Sequence, residues 1–218
     1  MDAITLIKHD HKTVEALFKR AEKLGDGALK EKKQIVQQII RELAIHAAIE
    51  EQVFYPAVRK AIKAAEDDVL EALEEHHIVK WTLSELDGMN PKDERFDAKL
   101  TVLIELVRHH VKEEEHDLLP QVAKKLDRDT LETLGKALEA AKKVVPTRPH
   151  PRAPDAPPAG IVAALPAALL DRAKDFVQGV AKRAQGEAKK RVPANGAKRK
   201  APTAAARSRA PSAAHRAH

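Results

Sequence analysis

The stretch His46-Ala47-Ala48-Ile49-Glu50-Glu51-Gln52-Val53-Phe54-Tyr55-Pro56 is answered 64 positions later by His110-Val111-Lys112-Glu113-Glu114-Glu115-His116-Asp117-Leu118-Leu119-Pro120. Each copy carries a histidine, a glutamate four residues on, a second acid beside it and a proline near its end. Upstream of each lies one more matched histidine: Asp10-His11 with Val14 and Phe18, against Glu75-His76 with Val79 and Leu83, 65 positions apart. Most other positions drift. A repeat that keeps imidazoles and carboxylates in register while its packing residues change is held by chemistry as well as packing. It reads as a duplicated helical hairpin that builds a single two-metal site.

The hydrophobic periodicity places these residues on helices. A first helix, about Asp2 to Leu24, has the apolar stripe Ile4, Ile7, Val14, Leu17, Phe18, Ala21 and Leu24, with His11 in its gap. His9 lies about 200° around from His11 and faces elsewhere. A second helix, about Leu29 to Phe54, aligns Ile35, Ile39, Leu43, His46, Glu50 and Val53, so His46 and Glu50 are neighbours one turn apart. Pro56 should bend or restart it, with a continuation to about Ala64. The third helix starts at the acids Glu66-Asp67-Asp68, carries His76 on its stripe and ends by Gly88; the fourth carries His110 and Glu114 and runs to about Leu119. A shorter helix from Thr130 to Val144, capped by Asp129 with Glu132 three residues on, is expected to cover one side or end of the bundle. The expected architecture is therefore all-α: an antiparallel up-down-up-down four-helix bundle over residues 1–145, extra C-terminal helix included.

Composition agrees. Aromatics are 3% and charged residues 33%, and strand-type runs are missing. With no cysteine, any metal must be held by imidazole and carboxylate. No apolar run approaches the ~20 residues of a membrane span, and the N-terminal stretch lacks a basic segment followed by an apolar one; the expected location is cytoplasmic. The net charge of +6 conceals an asymmetry. Residues 146–218 hold 15 Lys and Arg against 4 Asp and Glu, a net +11, leaving 24 basic and 29 acidic residues, a net −5, before them. Residues 146–160 are Pro-rich and read as an extended linker, 161–191 as an amphipathic helix, and 192–218 as a disordered basic Ala/Pro/Lys/Arg tail.

Four inward imidazoles and two inward carboxylates suit iron, manganese or zinc, and argue against calcium or magnesium, which prefer oxygen shells. The natural arrangement has His11 and His46 on one metal, His76 and His110 on the other, and Glu50 and Glu114 across both. A lone histidine on an apolar stripe is usually a hydrogen-bonded core residue. Six such groups, one histidine per helix and each glutamate a turn beyond its histidine, are not explained that way, because buried carboxylates need a cation. His9, His77, His109 and His116 read as surface or supporting groups.

The pattern His11, His46-x-x-x-Glu50, His76, His110-x-x-x-Glu114, with Glu51, Glu115, Pro56 and Pro120, resembles the hemerythrin-like family of HHE cation-binding domains, over about Asp2 to Leu126. That resemblance implies a non-haem pair of iron ions bridged by two carboxylates and an oxo or hydroxo group, with these six residues as ligands; manganese and zinc rank behind iron. The oxygen-carrying members place two histidines a turn apart on the third helix, where this chain has Lys80 after His76 and Ala72 before it. They also space the last carboxylate five residues after its histidine, where this chain has Glu114 at four and Glu115 at five. It is closer to the bacterial branch associated with peroxide breakdown, iron or oxygen sensing and nitrosative or oxidative stress.

Two functional classes follow. One is an enzyme that disproportionates hydrogen peroxide. The other is a module that binds or senses iron, O₂ or NO without turnover. The basic tail adds a third element, non-specific binding to nucleic acid or an anionic membrane, and Lys198-Arg199-Lys200, Arg207, Arg209 and Arg216 carry it.

Overall fold

The computed structural model describes residues 1–25 and 27–152. The helix expected over 161–191 and the disorder expected over 192–218 lie outside these residues. Within them the chain is helical with no strand.

Asp2 caps α1, Ala3–Glu22, accepting the backbone N–H of Thr5 at 3.0 Å, as the sequence suggests. α2 spans Leu29–Ile49 and α3 Tyr55–Ala61; α4 is Glu66–Gly88, α5 Phe96–Glu113, α6 Leu119–Lys125 and α7 Arg128–Ala141. α1 packs on α2, α4 on α5 and α2 on α4. The ring closes where Arg108 of α5 grips Glu15 and Glu22 of α1 at 2.8–3.1 Å.

Three details differ from the sequence reading. Asp127, not Asp129, caps α7: the extended backbone at Leu126 ends α6, and the Asp127 side chain then accepts Thr130 N–H at 2.8 Å. Glu132 instead pairs with Arg128 at 2.8 Å. At Pro56 and Pro120 the chain does not simply bend. One π-turn, Glu50–Phe54, joins α2 to α3, and another, Glu114–Leu118, joins α5 to α6. A proline lacks the N–H of the α-helical ladder and its ring crowds the carbonyl four residues back. Widening the preceding turn to five-residue hydrogen bonding, Tyr55 N–H to Glu50 C=O and Leu119 N–H to Glu114 C=O, lets the helix continue past it. After Pro56 it continues to Ala61, short of the expected Ala64.

Buried apolar residues form two clusters. One gathers Val14, Phe18, Ile39, Leu43, Val79, Leu83, Leu103 and Val107. The other gathers Leu6, Ile7, Ile49, Phe54, Val58, Val122 and the inner face of α7 with Leu134, Leu138 and Ala141. His11 falls between Ile7 and Val14, and Glu50 between Leu43 and Phe54, so a polar layer separates the two cores. α7 lies along the start of α1. At Gly135 a Cβ would overlap the Met1 carbonyl oxygen and lie 2.8 Å from the Asp2 carbonyl carbon and 2.9 Å from the Ala3 nitrogen. Glycine allows that approach. Lys142 then pairs with Asp10 of α1. Residues 146–152 are irregular, as their prolines dictate, and Arg148 reaches back to Gln37 at 2.7 Å and to Asp87.

Candidate metal centre

Each of the six residues singled out by the repeat is buried in that layer, with at most 5% exposure. His11 and His46 face each other at 4.9 Å between ring centroids, and His76 and His110 at 4.6 Å. Between the pairs lie the two carboxylates. Glu114 Oε2 is 3.2 Å from His11 Nε2, and Glu50 Oε2 is 3.3 Å from His46 Nε2 and 3.4 Å from His76 Nε2. His76 Nε2 is 3.2 Å from His110 Nε2. Glu114 takes the inward position and Glu115 does not. His9, His77, His109 and His116 are exposed, as expected.

The repeat also contains a supporting ring. Each histidine turns Nδ1 away from the centre toward a carboxylate: His11 to Glu115 at 2.8 Å, His76 to Glu51 at 3.2 Å, His110 to Glu75 at 2.7 Å and His46 to Asp10 at 3.7 Å. The first two reach across to the other hairpin. The hydrogen bonds of His11, His76 and His110 fix the tautomer with its lone pair on Nε2, aimed inward, and raise the basicity of the imidazole; the Asp10 carboxylate lies near His46 Nδ1 without hydrogen-bonding to it. Their signal was present in the sequence, since Asp10 matches Glu75 and Glu51 matches Glu115, although no role followed from it there. The π-turns explain how consecutive acids serve one centre: Glu50 points inward while Glu51 reaches His76.

Two further residues had no role assigned from the sequence. Lys80, where a second histidine of an oxygen carrier would stand, is buried and donates to Glu51 at 2.9 Å. Tyr55, whose repeat partner is Leu119, is buried under the carboxylates and places its hydroxyl 3.3 Å from Glu114 Oε1 and 3.5 Å from Glu50 Oε2. Burial, followed by the charges of Glu114 and Glu50, pushes this phenol well above its ordinary range and keeps its proton in place.

The electrostatics fit a cation. Burial raises Glu50 well above the carboxylate range, and the Glu114 charge adds to the rise. Burial drives the His76 imidazole well down, with His110 contributing. His11 Nε2, both nitrogens of His46, Glu50 Oε1 and Glu114 Oε2 are buried without a hydrogen-bond partner. Native interiors rarely leave such atoms unpaired. The donor atoms fall into two groups within metal-ligand reach, His11, His46, Glu50 and Glu114 in one and Glu50, His76 and His110 in the other. Neutral imidazole with carboxylate is the donor set of iron, manganese or zinc, and the unpaired atoms fit such ions.

Fold and donor set together define a four-helix-bundle cation-binding protein. Residues 2–122 match the hemerythrin HHE cation binding domain, and the chain belongs to that family. It is 31% identical over 170 residues to an uncharacterized hemerythrin-like protein of Schizosaccharomyces pombe, covering 78% of this chain and 83% of that one. It is 28% identical over 148 residues to a DNA nickase of Nostoc, covering 68% of this chain and 41% of the longer relative. The fold is shared with a crystal structure of a hemerythrin HHE cation binding domain-containing protein from Mycobacterium kansasii, with a TM-score of 0.57, 22% identity, and 79% of this chain and 99% of that one covered. Among the described residues no helix is long and apolar enough to cross a membrane.

Proposed function

We propose that this protein holds two iron ions, one on His11 and His46 and one on His76 and His110, with Glu50 and Glu114 shared, and that it disproportionates hydrogen peroxide to water and O₂. Bound iron would supply the redox change; the chain supplies the pocket. The observation carrying the reading is a small cavity of about 20 Å³ against the four imidazoles, walled by Val14, Leu43, Ala47, Val79, Val107 and Val111. That is space for one very small molecule, and its walls offer no polar group except the histidines. Val14, Val107 and Val111 also floor a wider groove of about 540 Å³ between α1 and α5, the natural approach from solvent. Tyr55 and the two carboxylates lie together and hold a proton at the Tyr55 hydroxyl. Larger oxidants and reductants are kept out by the valine walls.

Loading with ferrous iron without oxygen should give about two irons per chain, and exposure to peroxide should produce a near-ultraviolet charge-transfer band together with O₂ release. One metal or none would defeat the two-metal reading. Two irons with a spectral response to O₂ or NO and no O₂ release would favour sensing over turnover.

The charge distribution supports a separate role for the tail. Residues 153–218 contain 13 Lys and Arg against 4 Asp and Glu, and the Nostoc relative is a DNA nickase. We assign the tail to salt-dependent binding of nucleic-acid phosphates. Removing 153–218 should leave metal content unchanged and lower affinity for duplex DNA at low salt by tenfold or more in a fluorescence-anisotropy titration. Equal binding by full-length and truncated proteins would end this assignment, and tail-dependent binding to anionic vesicles alone would redirect it to a membrane surface.

A further inference from the structure

We infer that the groove between α4 and the end of α5 is the route by which a divalent metal ion reaches the buried centre, with Glu75, His109 and Glu113 as its outer station. The inference rests on the metal-binding reading above. This groove, about 120 Å³, is lined by Asp68, Glu71, Glu75, Glu113, Glu114 and Asp117, and its floor reaches His110. Among the described residues no lysine or arginine lines it. The floor opens onto the metal centre: Glu114 is 3% exposed, and its Oε2, 3.2 Å from His11 Nε2, is buried without a hydrogen-bond partner.

At the rim, His109 is exposed and its Nε2 lies 3.2 Å from Glu113 and 3.7 Å from Glu75. These three side chains present donor atoms within reach of one ion. Glu75 joins the outer group to the inner one, because its other oxygen is 2.7 Å from His110 Nδ1. A cation held at the rim therefore sits one carboxylate away from the buried histidine.

The internal repeat supplies a comparison within the molecule. The positions equivalent to Asp68, Glu71, His109, Glu113 and Asp117 are Ala3, Leu6, Ile45, Ile49 and Val53 in the first hairpin. There the same face is apolar and packs into the cluster that includes α7. The hairpin thus folds without these acids. They occur on the face that α7 leaves open. A merely solvated surface would mix both signs. The groove between α1 and α5, by contrast, mixes both signs, Lys12, Lys19, Arg108 and Lys112 with Glu15 and Glu115, and so lacks a lining of one sign. Clefts lined by one sign of charge concentrate the opposite ion and raise its arrival rate by 10–10³-fold, an effect that salt suppresses.

The test uses cobalt(II), whose visible absorption reports coordination directly, mixed with the full-length metal-free protein by stopped flow. The variant Glu71→Gln/Glu113→Gln/Asp117→Asn, and separately His109→Ala, should bind the same final amount of cobalt as the unaltered protein. The triple variant should load at least about tenfold more slowly, with a flatter dependence on salt. His109→Ala should load more slowly at every salt concentration. The comparison protein carries Glu31→Gln/Glu94→Gln/Glu105→Gln, which removes equal charge from exposed positions outside the groove, and it should load at the unaltered rate. Unchanged loading in the groove variants, or equal slowing in the comparison protein, would overturn the route while leaving the centre intact. An unaltered protein that takes up no cobalt would overturn the metal-binding reading itself, and the route with it.

Discussion

His76→Ala should empty the centre of metal and lower the melting temperature of the iron-loaded protein by roughly 10 °C. A ligand at a thousand times its dissociation constant stabilises the state it binds by about 4 kcal/mol, and about 1 kcal/mol moves the melting point of a domain this size by roughly 2–4 °C. The same change should matter little once iron is removed from both proteins. In the metal-free chain His76 Nε2 faces another imidazole nitrogen at 3.2 Å, so truncation relieves unfavourable burial while it opens a small void. The measurement is a pair of calorimetric melts with and without chelator, beside iron analysis. His77→Ala, an exposed neighbour, should match the unaltered protein in both. If His77→Ala emptied the centre and His76→Ala did not, the helical register assigned to α4 would be wrong.

The second large effect concerns Gly135. In an open helix interior, Gly→Ala is expected to stabilise by up to about 1 kcal/mol. Here the sign should reverse. The added carbon meets backbone atoms of Met1, Asp2 and Ala3, and backbone cannot yield as a flexible side chain can. Overpacking of this kind costs about 1–3 kcal/mol, so Gly135→Ala should destabilise and Gly135→Leu should lift α7 away. Undocking exposes Leu134 and Leu138, each worth about 1.5–3 kcal/mol when fully buried. Urea titration gives the first number. Amide exchange over 128–145, faster in Gly135→Leu than in the unaltered protein, reports the second. A stabilised Gly135→Ala would show that α7 does not approach α1 so closely in solution.

The helices and the six inward side chains could be read from the sequence because both depend on spacing. An imidazole in the gap of an apolar stripe has to face the interior, and the 64- and 65-residue repeat separates His11 from His9 and His76 from His77. What escaped depends on hydrogen-bond register or distant contact. A π-turn differs from an α-turn by one shifted bond, and its only sequence trace was the proline following it. Asp127 and Asp129 are both able to cap α7, and the conformation at Leu126 decided between them. Lys80 and Tyr55 gain their positions from partners 29 and 59 residues away, which periodicity along one helix does not register. The matching of Asp10 with Glu75 and of Glu51 with Glu115 was visible, but it acquired a meaning only when each was found beside the outer nitrogen of a histidine.

The two π-turns also bear on descent. A π-turn amounts to a single-residue insertion into an α-helix, usually unfavourable and retained where a site depends on it. Finding one at Glu50–Phe54 and another at Glu114–Leu118, 64 positions apart and each opening on an inward glutamate, is simplest if the insertion happened once, in an ancestral hairpin, before its gene doubled. That ancestor would have carried one imidazole pair and one inward acid, too few to enclose a metal pair alone. Two copies related by a twofold axis would bring together the same six residues that the single chain now gathers. In the present chain the halves differ on this face: one is covered by α7, and the other is acidic.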